Sequence, residues 1–184
     1  MVSAGVVGAG VAFHLARDGA RVTIIDKGDI CAGMSARSDA LLRMHYTFAP
    51  EAHLAWKSLR YFAHWRELAG GGSGHGGCGF VRTGFAVVVG DWNTDRRRAN
   101  IAMMKVLRID TDLVDANALR EMDPVINVVD VALAAYEPQS GYADPIATTH
   151  SFADDATHLG ATMMPRTPIA AFSRLEGRAL TRDA

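Results

Sequence analysis

The chain opens on a run that changes period twice. Residues 4–17, AGVVGAGVAFHLAR, are small and apolar with few charges, which predicts a buried helix over Val6–Asp18. Gly19 stops it, and Arg21-Val22-Thr23-Ile24-Ile25 predicts a short strand ending at Asp26. After Pro50 the helical period returns. Ala55, Leu59, Phe62 and Trp65 recur on one face over Glu51 to Ala69, with Lys57, Arg60 and Glu67 opposite. Residues 70–79, GGGSGHGGCG, break regular structure and read as a linker or interdomain loop. Beyond it, Phe80–Val89 predicts one strand kinked at Gly84, or two short ones. Asn93-Thr94-Asp95 predicts a cap and a helix to about Leu107. Leu113-Val114 is a short extended piece, Asp115 caps a small helix ended by Pro124, and Val131–Tyr136 is a strand. Asp144 as N-cap and Pro145 in the first turn begin a helix that ends at Leu159-Gly160. Ala161–Met164 and Pro168–Phe172 read as extended, and Gly177-Arg178 starts a last strand or the turn before it.

Composition narrows this reading only a little. With 184 residues and 49% apolar content the chain can form one domain or parts of two. A net charge of -1 gives no sign of a nucleic-acid or anionic-membrane partner. Cys31 and Cys78 make no disulfide framework, so a reducing, cytoplasmic compartment is expected. The apolar residues 4–13 lack a basic lead and run into a charged helix end, unlike a secretion signal. No stretch approaches the ~18 apolar residues of a membrane helix. His75 and Cys78 have no second pair to complete a metal site, and none is expected.

The opening run carries the first chemistry. Ser3-Ala4-Gly5-Val6-Val7-Gly8 fits G-x-G-x-x-G with Ser3 in the first glycine slot, and Asp26 stands where an acid belongs about 20 residues on. Gly5 lets backbone approach a pyrophosphate, Gly8 lets helix and strand pack, and the helix N-terminus offers free amides to phosphate. Asp26 accepts from ribose hydroxyls and favours an unphosphorylated adenosine ribose. A second frame on Gly8-Ala9-Gly10 puts Phe13 in the third slot and brings Asp26 too near. An Ala/Gly-rich buried helix without a ligand is the bland alternative. The fold class is therefore α/β: a partial Rossmann-like nucleotide-binding domain with part of a mixed α+β domain. The expected segments are 1–72, 80–140 and 141–184.

Two further stretches hold candidate groups. Ser35, Arg37 and Ser38 follow the second strand and suit phosphate or ribityl oxygens, or form a solvated loop. Arg43-Met44-His45-Tyr46 sets a fixed cation, a titratable ring and a phenol together, with Arg43 and His45 on one face if extended. A guanidinium binds a carboxylate as a fork. A surface arginine beside a half-buried tyrosine would look the same.

The pattern resembles FAD-dependent oxidoreductases of the D-amino-acid oxidase and sarcosine oxidase or dehydrogenase family. It does so through GAGVAFHLARDGARVTIIDK, SARSDALLRMHY, GFVRTGF and EPQSGYADP, and covers only the first half of such a protein. The resemblance implies FAD as cofactor, with segments 1–72 and 141–184 belonging to one FAD-binding domain and 80–140 to a substrate domain. Gly5 and Gly8 would line its pyrophosphate, and Asp26 with Lys27 its adenosine ribose. Ser35, Arg37 and Leu41 would flank the phosphate and flavin side, and the Ile169 backbone would touch the adenine. It implies oxidation of a C–N bond in a small amino acid or secondary amine such as sarcosine. Arg43 would hold the substrate carboxylate, and His45 and Tyr46 would line the same cavity. No flavin-linking histidine is expected, since none stands between Lys27 and Arg43. Only Met1 and Val2 precede the turn, so the first strand is expected to be missing and the flavin's cover incomplete. A gene remnant, a split chain completed by a second polypeptide, and an NAD-dependent dehydrogenase are the alternatives. The switch to mixed α+β after the linker speaks against the last.

Overall fold

The computed structural model describes residues 1–69, 77–175 and 178–183. His75 and Gly177, which the sequence reading places in the linker and at the start of the last strand, lie outside the described residues. In chain order the first elements are α1 (Val6–Arg17), β1 (Thr23–Ile25), a 3-10 turn at Met34–Arg37, and β2 (Leu41–Leu42). Next come α2 (Ala49–Ala63), α3 (Trp65–Leu68), β3 (Val81–Arg82), β4 (Phe85–Val89) and α4 (Thr94–Val106). The chain continues through β5 (Asp112–Val114), α5 (Ala116–Met122), β6 (Leu133–Glu137) and β7 (Gly141–Tyr142). It closes with α6 (Pro145–His158), β8 (Thr162–Met164), β9 (Ile169–Leu175) and β10 (Arg178–Asp183).

Two compact units form. The first holds residues 1–40, 64–79 and 143–184; the second holds 41–63 and 80–142. The unit boundary therefore differs from the expected segment boundary after residue 72. It falls inside the predicted 51–69 helix, which breaks at His64 into α2 and α3. His64 leaves helical geometry at φ -124°, ψ 40°. The buried indole of Trp65 donates from Nε1 to Ser151 Oγ at 2.8 Å, which ties α3 to α6 in the first unit. Residues 41–42 belong to the second unit because β2 pairs antiparallel with β7, which also pairs with β3.

In the first unit β1 and β8 run parallel, Thr23 opposite Thr162. Val2 also bridges Ile25 in parallel, with Ser3 N donating to Ile25 O at 2.9 Å. Val2 thus pairs beside β1 where a first strand is expected, and Val2, α1 and β1 follow one another in βαβ order. Ala9, Ala12 and Ala16 give α1 a buried face of small side chains, so α6 can pack closely. Phe13, Ile24 and Ala156 fill the core between them. Helix α1 stops at Gly19, whose φ of 85° suits glycine, and the amides of Gly19 and Ala20 return to Ala16 O and Leu15 O. Asp144 caps α6 through Ile146 N and Ala147 N at 2.8 and 2.9 Å, with Pro145 at the first turn.

In the second unit β4, β6 and β5 form an antiparallel sheet, with Phe85 opposite Glu137. The predicted kink at Gly84 is the break between β3 and β4. Met44, Leu59, Ile101, Met104 and Ala135 bury the core of this unit.

Candidate functional site

The glycine turn and β1 build a concave site at the carboxyl end of the strand, where ligands bind in parallel α/β sheets. A cavity of about 510 Å³ is lined by Ser3, Gly5, Gly8, Asp26, Lys27 and Ser35, among others. The frame that places Ser3 in the first glycine slot matches the backbone. Ser3 has φ 98°, a conformation that side chains disfavour. A Cβ on Gly8 would lie 2.0 Å from the Ser3 carbonyl oxygen, so only glycine allows the helix this close to the turn. The Asp26 carboxylate braces the turn, accepting from Ala4 N at 2.7 Å and Gly28 N at 2.8 Å. Each oxygen keeps a lone pair for a further donor.

The first turn of α1 leaves donors free. Val6 N donates to Ser35 Oγ at 3.0 Å, and Gly5 N only reaches Ser3 Oγ at 3.5 Å. The amides of Val7 and Gly8, both in the cavity lining, find no acceptor among the described residues. Two unpaired amides at the positive end of a helix dipole suit a phosphate. Together with the clearance at Gly8 and the acceptor at Asp26, the residues present fit the adenosine diphosphate portion of FAD.

The other sequence-predicted cofactor residues are placed less uniformly. Arg37 is exposed at the end of the 3-10 turn and is not in this lining, and Ser38 Oγ accepts from Ala40 N. Ile169 opens β9, half-buried. Leu41 lies in the second unit and lines a different cavity.

That second cavity, about 410 Å³, is walled by Leu41, Leu54, Ala55, Leu59 and Phe62 and carries Arg43, Tyr46 and Glu51. The Arg43 guanidinium lies over the Tyr46 ring at 4.7 Å and near the Phe85 ring at 6.0 Å. It donates to the His45 carbonyl through Nη1, leaving its other N–H groups for a ligand. His45 does not join Arg43 and Tyr46 in this lining, contrary to the sequence expectation. Its side chain turns into the core, where residue His45 is 6% exposed.

There the structure adds three residues that the sequence reading missed. Nε2 of His45 receives donors from Arg97 and from Asn100 Nδ2, the latter at 2.9 Å. Nδ1 faces Glu137 Oε1 at 3.4 Å. The contact lacks hydrogen-bond geometry, and neither atom has a hydrogen-bond partner among the described residues, so it is a polar contact and no more. Glu137, 0% exposed, also accepts at Oε2 from Met44 N at 2.9 Å and Ser140 Oγ at 2.7 Å. Burial pulls the Arg97 guanidinium below its ordinary value, opposed by the negative Glu137. The available signal was a glutamate closing an apolar strand, LAAYE, where a charge is rarely buried unpaired.

Several known proteins are similar to this chain. Human (Homo sapiens) mitochondrial dimethylglycine dehydrogenase is 22% identical over 170 residues, 92% of this chain and 19% of that protein. The sarcosine oxidase beta subunit of an Arthrobacter species is 24% identical over 179 residues, 94% of this chain and 43% of that one. The chain thus spans less than half the length of either relative. The crystal structure of L-proline dehydrogenase from P. horikoshii superposes with a TM-score of 0.87 at 24% identity, over 97% of this chain and 46% of that one, which shows a shared fold. Among the described residues no helix is long and apolar enough to cross a membrane. The model of the DAO family, described as FAD dependent oxidoreductase, matches residues 4–183, and the chain belongs to that family.

Proposed function

We propose that this chain is the FAD-binding and substrate-orienting part of a flavoprotein that oxidises the C–N bond of a small amino acid or secondary amine. The observation that carries the reading is the turn at Ser3–Gly8, with its two unpaired amides and its close passage at Gly8, braced by Asp26. The relatives named for dimethylglycine and sarcosine support the substrate class. In this reading the first unit belongs to the cofactor and the second to the substrate. The amides of Val7 and Gly8 receive the pyrophosphate, Gly5 gives it room, and Asp26 and Lys27 take the adenosine ribose. Ser35 and Arg37 serve the phosphate side, and the Ile169 backbone the adenine. Leu41 forms a wall of the substrate cavity. Arg43, stacked on Tyr46, orients the substrate carboxylate, and the apolar wall from α2 keeps competing water away. Bound FAD would supply the two-electron oxidation, taking a hydride equivalent from the carbon beside the amine.

Titrating the full chain with FAD and following flavin fluorescence tests the reading. Saturable binding is expected, weakened about tenfold or more in Asp26→Ala by loss of charge-assisted hydrogen bonds. No binding, or equal binding by the variant, overturns it. Binding of NAD in preference to FAD would favour a nicotinamide-dependent dehydrogenase.

A further inference from the structure

We propose that Glu137 is a positioning residue for Arg43, acting through the buried ring of His45 and the amide of Met44. The proposal rests on the reading above only for what Arg43 then holds. Arg43 to Tyr46 follow β2, and after that two-residue strand no sheet pairing fixes them. Yet the Arg43 guanidinium has one defined place, over Tyr46, near Phe85 and bonded to the His45 carbonyl. Something must fix Met44 and His45 for that to hold.

Glu137 does so from β6. Its Oε2 takes the Met44 amide at 2.9 Å and the Ser140 hydroxyl at 2.7 Å, while Oε1 faces His45 Nδ1 at 3.4 Å. The proton inventory is determined by Arg97, which has donors only. Because Arg97 donates to Nε2, that nitrogen is bare, and the ring proton sits on Nδ1, facing Glu137. Nε2 is then held by two donors and Nδ1 lies against the Glu137 carboxylate, so the ring is fixed from both sides. Phe85, the cross-strand neighbour of Glu137, adds its ring beside Arg43. A carboxylate suits this place, because two donors bond to Oε2 while the Nδ1 side of His45 faces Oε1. A glutamine at 137 offers one acceptor oxygen and a donor amide, so it leaves either Met44 N or His45 Nδ1–H facing another donor. Such buried mismatches are costly.

The test uses NMR on the full chain with nitrogen-15 label. In the unaltered protein Nε2 of His45 is expected to be bare, with the ring proton on Nδ1. The Arg43 side-chain protons are expected to be shifted by the Tyr46 ring current. In Glu137→Gln the Arg43 shift is lost and the Met44 amide exchanges about tenfold faster or more. His45→Leu keeps an apolar filler but cuts the link, and the Arg43 shift is again lost. The proposal is overturned if the unaltered His45 carries its proton on Nε2 or on both nitrogens. It is also overturned if either variant folds and leaves the Arg43 shift unchanged. Titration with N-methylglycine separates this proposal from the functional reading. If Arg43→Ala binds that probe as well as the unaltered chain while the NMR signals behave as stated, the substrate role fails and the positioning role stands.

Discussion

Replacing Ser3 with glycine is expected to stabilise the protein, against the usual direction of a substitution in a structured turn. Ser3 sits at φ 98°, beyond the ordinary left-handed region, where a side chain costs roughly 1–2 kcal/mol. Removing that side chain gives up little. Its Oγ reaches Gly5 N only at 3.5 Å, on an exposed turn, which is about 0.5 kcal/mol at most. Glycine also gains freedom in the unfolded chain, an opposing term of about 0.4–1 kcal/mol. The central balance is a gain of about 0.5 kcal/mol, which corresponds to about 1–2 °C for a chain of this size. Urea unfolding followed by far-UV circular dichroism resolves such a shift when both proteins are measured side by side. The slope of the transition should stay constant, since the exposed area barely changes. A Ser3→Gly protein with a lower urea midpoint at unchanged slope would refute the reasoning. It would mean either that the serine hydroxyl holds the turn, or that residue 3 does not have the left-handed conformation the fingerprint requires.

Gly8→Ala should act the other way. Its Cβ would stand 2.0 Å from a backbone oxygen, so α1 must move off the turn, at a cost of about 2–3 kcal/mol in the same urea assay. An unchanged midpoint would rule out the close passage. Asp144→Ala removes the acceptor for Ile146 N and Ala147 N and should cost about 1–2 kcal/mol, with a matching loss of amide protection in the first turn of α6. Equal protection would place the cap elsewhere. His14 is held below its ordinary value by burial first, then by the Arg17 charge, with Asp18 opposing. Its folded form therefore binds a proton less readily than the unfolded chain does. Its contribution is present above about pH 6.5 and is lost as pH falls through the lowered folded value. His14→Gln should flatten the urea-midpoint profile slightly over about pH 5–7, and a steeper profile in the variant would reverse the sign.

Elements that rest on local chemistry were legible in the sequence. The start of α1 follows from a glycine turn before an apolar run, and its end from Gly19. The caps at Asp115 and Asp144 are each one side chain answering amides two or three residues on. The break at Gly84 is marked by the residue itself, which stands at φ 75°. What misled was periodicity carried past a tertiary event. Ala55, Leu59, Phe62 and Trp65 keep helical spacing, but Trp65 is claimed by Ser151 and by the Phe152 ring at 4.6 Å. Nothing within residues 51–69 announces that claim. The cap at Asn93 likewise makes no side-chain bond, because a 3-10 turn at Asp91–Asn93 leads into α4 instead.

The site divides along the same line. The glycine turn is readable because one contiguous stretch supplies it: the left-handed residue, the close passage, the free amides and, one strand later, the acid. The Arg43 arm is half readable. Its cation and phenol are adjacent in sequence, but its support comes from residues 97, 100 and 137, brought in by α4 and by the β4–β6 pairing. His45 shows the consequence. Strand-like alternation put it on the face of Arg43, yet Arg43 bonds back to the His45 carbonyl instead of lying parallel to its ring. The imidazole then turns inward, toward the buried carboxylate of Glu137. A charge at the end of an apolar strand is the only trace of that arrangement in the sequence, and it becomes meaningful once a buried donor for it is sought.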